Sequence, residues 1–297
     1  MCKRVEAIII YVRIRITSQS ADLSGRQQPT RKYIMNKPLI IPIPIVPFGI
    51  VNCHLIIGAK GCVVVDAGIP DSEDKIERVL KKHGRGFRDV TLIVVTHAHT
   101  DHAGSAARLR ELTGAPILAH AGDLDYYEGR KKMTYCVAHW WGPLFLRSGV
   151  PTVPYMPFTP DIMLRENDSF DLSRYGIDGV ARHTPGHTAG SVSVELSSGD
   201  ALVGDMVASG ILLGGMMRLG HAIRPPFEDD PQAVGVELMN MVDAGMQRFY
   251  MGHGGPLAAK EVRRHAIVLG KLKPGRKYGL QPSECSCSRR KVAEIVD

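Results

Sequence analysis

The feature that most narrows what this chain can fold into is the run Thr96-His97-Ala98-His99-Thr100-Asp101-His102, which follows directly on the apolar stretch Leu92 to Val95. The β-branched stretch predicts a buried strand, and Ala103 to Leu112, closed by Gly114, predicts a helix after the turn. A strand therefore delivers four potential metal ligands, His97, His99, Asp101 and His102, into one turn. The alternate residues His97 and His99 can aim two imidazoles at one point, while Asp101 and His102, at the start of the helix, can aim at a second point a few ångströms away. Three histidines and an aspartate crowded merely to solvate a surface is the poorer explanation.

Three later segments add donors: His187 in His183-Thr-Pro-Gly-His187-Thr-Ala-Gly, Asp205 in Val203-Gly204-Asp205, and His253 in Gly252-His253-Gly254-Gly255-Pro256. Each sits just beyond a predicted strand and beside glycine, which lets the backbone turn tightly and approach a metal or substrate closely. His183 reads as structural, and His120, His139 and His221 read as core or surface histidines, His221 lying in a loop that could face the site.

The remaining pattern is layered. Strands are predicted at Leu39 to Val46, Cys53 to Ile57, Cys62 to Val65, Pro116 to Ala119, Gly179 to Arg182, Ser191 to Leu196, Ala201 to Val203 and Phe249 to Met251. Helices are predicted at Asp71 to His83, Pro231 to Asp243 and Leu257 to Leu269. Strands followed by helices in two similar halves fit an α/β sandwich with sheets inside and helices outside. The segment 122–165 differs in texture, crowding both tryptophans and Tyr126, Tyr127, Tyr135 and Tyr155 among Gly and Pro. It serves either as a lid or wall for an apolar group or as cover for the sandwich.

Charge argues against a polynucleotide substrate. The net charge of +7 is concentrated at the ends: residues 1–37 carry 8 Lys/Arg against 2 Asp/Glu, and residues 260–297 carry 10 against 4, leaving the middle acidic. A nuclease needs its positive charge beside the chemistry. The sequence divides accordingly into a basic N-terminal extension (1–37), one chemical domain (38–271) and a basic C-terminal tail (272–297). No apolar run approaches the ~20 residues of a membrane span. Six cysteines without a C-x-x-C pair are too few for a disulfide scaffold, and Cys285 and Cys287 read as surface thiols, so a cytoplasmic location is expected. The apolar run Val5 to Val12 mimics a signal peptide but lacks a cleavage site. Its part Ile8 to Val12 could supply an edge strand or the contact of a homodimer. Both ends are expected to be dispensable for the chemistry.

The ordered set H-x-H-x-D-H, H-T-P-G-H-T, G-D and G-H-G-G-P resembles the metallo-β-lactamase superfamily over roughly residues 39–270. The resemblance implies a four-layer αββα sandwich with the site at the sheet edge. It also implies His97, His99 and His187 on one metal, Asp101, His102 and His253 on a second, and Asp205 bridging. Asp66, in Val-Val-Val-Asp66-Ala-Gly, matches a position that braces the histidine loop without binding metal. Two divalent cations, zinc before manganese or iron, would then generate a metal-bound hydroxide near neutral pH, with Asp101 or Asp205 orienting or relaying the proton. The expected activity is hydrolysis of a small ester, lactone, thioester or amide, β-lactams included. The alternatives are a non-haem iron oxygenase of the same fold and a metal-dependent nuclease. Family lactonases carry a tyrosine soon after the bridging aspartate, where this chain has Met206-Val207-Ala208-Ser209, which weakens the lactonase reading.

Overall fold

The computed structural model describes residues 37–211 and 217–272; the expectations for residues 1–36 and 273–297 lie outside them. The first sheet takes its strands in chain order: β1 (Leu39–Val46), β2 (Val51–Gly58), β3 (Gly61–Val65), β4 (Val90–Val94), β5 (Ile117–His120) and β6 (Ile162–Leu164). The first two pairings are antiparallel hairpins and the last three are parallel. Parallel neighbours need crossovers. These are supplied by α1 (Glu73–Lys82), by α2 (Thr100–Ala103) with α3 (Ala106–Thr113), and by a long excursion holding α4 (Leu124–Tyr127) and α5 (Gly142–Arg147).

The second half contributes β7 (Ser169–Asp171), β8 (Gly179–His183), β9 (Val192–Leu196) and β10 (Asp200–Leu202). A two-stranded ribbon, β11 (Ala208–Ser209) and β12 (Ala222–Ile223), leads to α6 (Pro231–Asp243), β13 (Arg248–Tyr250), β14 (Leu257–Ala258) and α7 (Ala259–Leu269). The second sheet has the order β14-β13-β10-β9-β8-β7, and β10 and β13 are parallel. Asp230 caps α6 through its Oδ1, which accepts from the Gln232 and Ala233 amides at 3.1 and 3.0 Å.

Strand alternation produces the layers. In β3 and β4, Cys62, Val64 and Ile93 face outward to Ile76 and Leu80 of α1 and Leu109 of α3. The intervening Val63, Val65, Leu92 and Val94 face inward and pack on Ala181, Val192, Val194 and Leu196 of the second sheet. In β10, Leu202 points to that shared interior while Ala201 turns outward, packing with Phe249 beneath Val234, Leu238 and Met241 of α6 and Val262 and Ala266 of α7. The result is helix, sheet, sheet, helix, as the resemblance implied.

Most expected elements are present, two with identical limits: Leu39–Val46 and Pro231–Asp243. The helix expected from Ala103 to Leu112 is instead broken into α2 and α3. Gly104 packs where an added Cβ would lie 2.4–2.5 Å from the Thr100 and Gly68 carbonyl oxygens, and Ser105 Oγ bonds the Ser72 amide and the Ile69 carbonyl, each at 2.8 Å. Leu257 begins a short strand rather than the last helix, because it pairs with Phe249. Among the described residues, no helix is long and apolar enough to cross a membrane.

Candidate metal centre

The chain brings its donors together by ending strands at one rim. Residues beyond β4 carry His97, His99, Asp101 and His102; beyond β8 comes His187, beyond β10 Asp205 and beyond β13 His253. The rims of the two sheets are joined there, since the Thr96 carbonyl accepts the Val192 amide at 2.8 Å and the Gly252 carbonyl accepts the Asn52 amide at 2.7 Å. All seven residues singled out in the sequence converge. His97, His99, His187 and Asp205 form one group, and Asp101, His102 and His253 another, with the donor atoms of each group within 4.8 Å of one another.

The first group is nearly all imidazole. His97 Nε2, His99 Nδ1 and His187 Nε2 lie 3.0–3.1 Å from one another. Three ring nitrogens cannot satisfy each other in a triangle, because each neutral ring has only one N–H, which is directed away from its lone pair. All three rings are buried, and burial first, then neighbouring histidines, depresses their basicity: His97 falls well below the ordinary value, His99 to about 3 and His187 to about 4. For His99 the charge of His187 lowers it further, and for His187 Asp205 opposes the fall. Neutral imidazoles converging on one point are what a divalent cation requires.

The second group is rich in carboxylate. Asp205 Oδ1 is 3.3 Å from His102 Nε2, Asp205 Oδ2 is 2.9 Å from His253 Nε2, and Asp101 Oδ2 is 3.4 Å from His253 Nε2. Burial pushes His102 and His253 toward neutrality, but Asp205 and the other carboxylates outweigh it. His102 is held well above its ordinary value and His253 at about 10. Burial likewise opposes ionisation of Asp101 and Asp205, yet the histidine charges bring both down. Negative charge thus accumulates in the interior and calls for positive charge beside it. His102 Nε2 and Asp205 Oδ1 are buried and 3.3 Å apart, yet neither makes a well-formed hydrogen bond. Buried donors left without good hydrogen bonds, in an imidazole and carboxylate set free of thiolate, fit hard-to-borderline divalent cations. Asp205 touches both groups, its Oδ2 also lying 3.9 Å from His187 Nε2.

A supporting layer fixes the donors. Asp66, at φ +64°, accepts the Thr96 amide on Oδ1 at 2.8 Å and the Thr96 hydroxyl on Oδ2 at 3.0 Å, and its Oδ2 is 2.9 Å from His102 Nδ1. Sequence reasoning missed Asp123. Buried at the start of α4, it accepts the Ala98 amide at 3.1 Å, the Thr188 hydroxyl at 2.8 Å and the Gly190 amide at 2.9 Å, and so ties the first histidine turn to the His187 loop. Two aromatic side chains lie against His99: the ring of Tyr135, from the aromatic segment 122–165, stacks on it at 5.0 Å between centroids, and Phe227, which the sequence did not single out, meets it edge-on at 6.2 Å. The remaining histidines join neither group. His183 stacks on His120 at 3.7 Å and bonds the Ala189 carbonyl, His139 bonds the Arg224 carbonyl, and His221 pairs with Glu261 of α7 at 3.0 Å.

Comparison with known proteins identifies the family and agrees with the fold. A sequence profile described as the metallo-beta-lactamase superfamily matches residues 46–215. The chain is 26% identical over 217 residues to a protein of Bacillus subtilis named a probable metallo-hydrolase, covering 68% of this chain and 78% of that one. Among solved structures, it resembles a metallo-beta-lactamase family protein of Thermus thermophilus with a TM-score of 0.55 and 23% identity, over 78% of each chain. A metallo-beta-lactamase superfamily protein of Sulfolobus tokodaii gives a TM-score of 0.54 at 22% identity, over 78% of this chain and 87% of that one.

Proposed function

The chain belongs to the metallo-beta-lactamase superfamily, and from that premise we propose that it is a dinuclear metal-dependent hydrolase of a small ester, thioester, lactone or amide. The observation that carries this reading is the position of Asp205, whose two carboxylate oxygens face His102 on one side and His253 and His187 on the other. In this reading His97, His99 and His187 hold one cation, Asp101, His102 and His253 hold the second, and Asp205 contacts both. Bound there, the cations supply Lewis acidity, lowering the pKa of water toward neutrality and accepting charge that develops on a carbonyl oxygen.

The protein's own residues do the rest. Asp66 fixes the ring of His102 and Asp123 fixes the spacing between the two histidine loops, so the donors are set before substrate arrives. Asp101 is half-buried whereas the other six donors are buried. It is therefore the carboxylate suited to exchange a proton with solvent or with a leaving group. Tyr135 and Phe227 close over His99 and keep bulk water from that flank of the site. No serine or cysteine nucleophile is required.

The test is a substrate panel of chromogenic esters, thioesters, lactones and β-lactams, run with zinc-loaded protein alongside single-stranded RNA and an oxygen electrode. Turnover of a carbonyl substrate that is lost on chelation and regained with zinc supports the proposal. RNA cleavage or oxygen uptake without carbonyl hydrolysis contradicts it.

A further inference from the structure

His253 stands in Gly252-His253-Gly254-Gly255, where its neighbours bring no side chains to anchor the loop. The position of the ring therefore depends on what the surrounding backbone bonds to, and the start of β2 reaches across from the other sheet to supply partners. The Asn52 amide donates to the Gly252 carbonyl at 2.7 Å, and Asn52 Nδ2 donates to the Gly254 carbonyl at 2.9 Å. One buried residue thus bonds the carbonyls of both neighbours of His253. The same Nδ2 donates to the Gly49 carbonyl at 3.0 Å, which also accepts the Gly254 amide at 2.8 Å. Two carbonyls at one end of the side-chain amide fix its orientation, because only N–H can meet both.

The turn that Asn52 closes on Gly49 carries the Ile50 carbonyl, and that carbonyl accepts from His253 Nδ1. A carbonyl only accepts, so Nδ1 holds the hydrogen and the neutral ring keeps its lone pair on Nε2. Nε2 is the atom that faces the carboxylates, 2.9 Å from Asp205 Oδ2 and 3.4 Å from Asp101 Oδ2. Asn52 therefore holds both parts of this contact, the loop that bears the ring and the turn that bears its acceptor. Ser209 supports the far side of the same loop. Its amide donates to the His253 carbonyl at 3.1 Å, and its Oγ bonds the Gly255 amide and carbonyl, each at 3.1 Å. Those bonds go to the loop, whereas the bonds of Asn52 join the loop to the turn.

We propose that Asn52 is a positioning residue for His253: by clamping residues 49 and 254 together it sets the tautomer and direction of the ring toward the second cation. The proposal rests on the reading above that Asp101, His102 and His253 hold that cation. Asn52 acts through the Ile50 carbonyl and the His253 loop and touches neither metal nor substrate. Its effect is confined to the second donor group, because His97, His99 and His187 stand on loops that Asn52 does not bond.

The experiment uses the full chain and reads zinc binding without substrate. Wild type, Asn52→Asp and Asn52→Ala are titrated with zinc against a chromogenic chelator, and metal-free melting curves are recorded beside them. Asn52→Asp keeps the shape but turns an oxygen toward two carbonyls, and Asn52→Ala removes the donor. The second equivalent should bind about 10–100-fold more weakly in both variants, with the first within about twofold of wild type. If Asn52→Asp does not fold, Asn52→Ala decides. A merely structural asparagine would lower the melting temperature and leave the ratio of the two affinities unchanged. That result, or equal weakening of both equivalents, overturns the proposal and leaves the hydrolase reading standing. The selective loss in a protein that turns over no carbonyl substrate supports the positioning role and overturns the hydrolase reading. A wild-type chain that binds no second equivalent overturns both.

Discussion

Asp66 Oδ2 lies 2.9 Å from His102 Nδ1, across 36 residues of sequence, and the same carboxylate receives the amide and hydroxyl of Thr96. The end of β3 thus dictates the orientation of a ring on α2, turning His102 Nε2 toward Asp205. Asp66→Asn keeps size and tolerates the positive φ, but exchanges one acceptor oxygen for an amide donor. The expected outcome is a 10–100-fold loss of affinity for the second equivalent of zinc, measured by competition with a chromogenic chelator. Unchanged affinity for both equivalents would show that Asp66 serves only the backbone of Thr96.

Among the described residues, Asp205 is the carboxylate placed against both groups. Asp205→Ala should bind a single zinc, fold with a normal far-UV spectrum and lose at least a hundredfold in turnover, on the scale of removing a principal electrostatic group. Turnover within a few-fold of wild type at saturating zinc would mean that the bridge is misassigned.

Gly252 makes a sharper steric test. A Cβ added there would stand 2.3 Å from His102 Cε1 and 2.5 Å from Asp205 Oδ1, two buried groups with no room to retreat. Gly252→Ala should therefore displace the second donor group, lowering zinc stoichiometry toward one and turnover by at least tenfold. Normal stoichiometry by elemental analysis would refute this packing.

Most of the candidate centre was legible because its donors are packed into short glycine-flanked motifs, each directly after a strand. His97, His99, Asp101 and His102 needed only the strand before them to be placed. Asp123 was not legible: it is 25 residues from Ala98 and 65 from Thr188, and in Ala121-Gly122-Asp123-Leu124 it looks like an ordinary helix start. Phe227 was hidden for the same reason, and Tyr135 was legible only as one of the aromatic segment, since the tertiary fold alone brings both to His99. In the fold itself, β1 and α6 were readable from local signals, proline and alternation in one and a capped helical pattern in the other. The break at Gly104 was not, because it is set by the neighbouring Gly68 to Pro70 backbone. The strands β6 and β7, three residues each, owe their form to partners more than to propensity.

Glu228 gives a pH-dependent prediction. It is buried, and burial raises its carboxyl to about 7 despite the Arg224 guanidinium bonded to it at 2.7 Å. A carboxyl whose folded pKa exceeds its unfolded value stabilises the fold fully below the unfolded value of 4.5. That contribution diminishes as pH rises and is lost above about 7, the folded state binding the extra proton in between. The wild-type melting temperature should carry this decline from pH 5 to 8, an effect of order 3 kcal/mol, and Glu228→Gln should lack it. Parallel melting curves for the two proteins across that range would contradict the assignment.

Whether seven donors hold two cations is read by counting metal in the purified full chain by elemental analysis, before and after chelation, with turnover followed in the same samples. Close to two equivalents of transition metal per chain are expected after zinc loading, with loss of turnover on chelation and recovery of both on adding zinc. Less than half an equivalent after zinc loading, or turnover that persists in chelated protein, would contradict the two-cation centre.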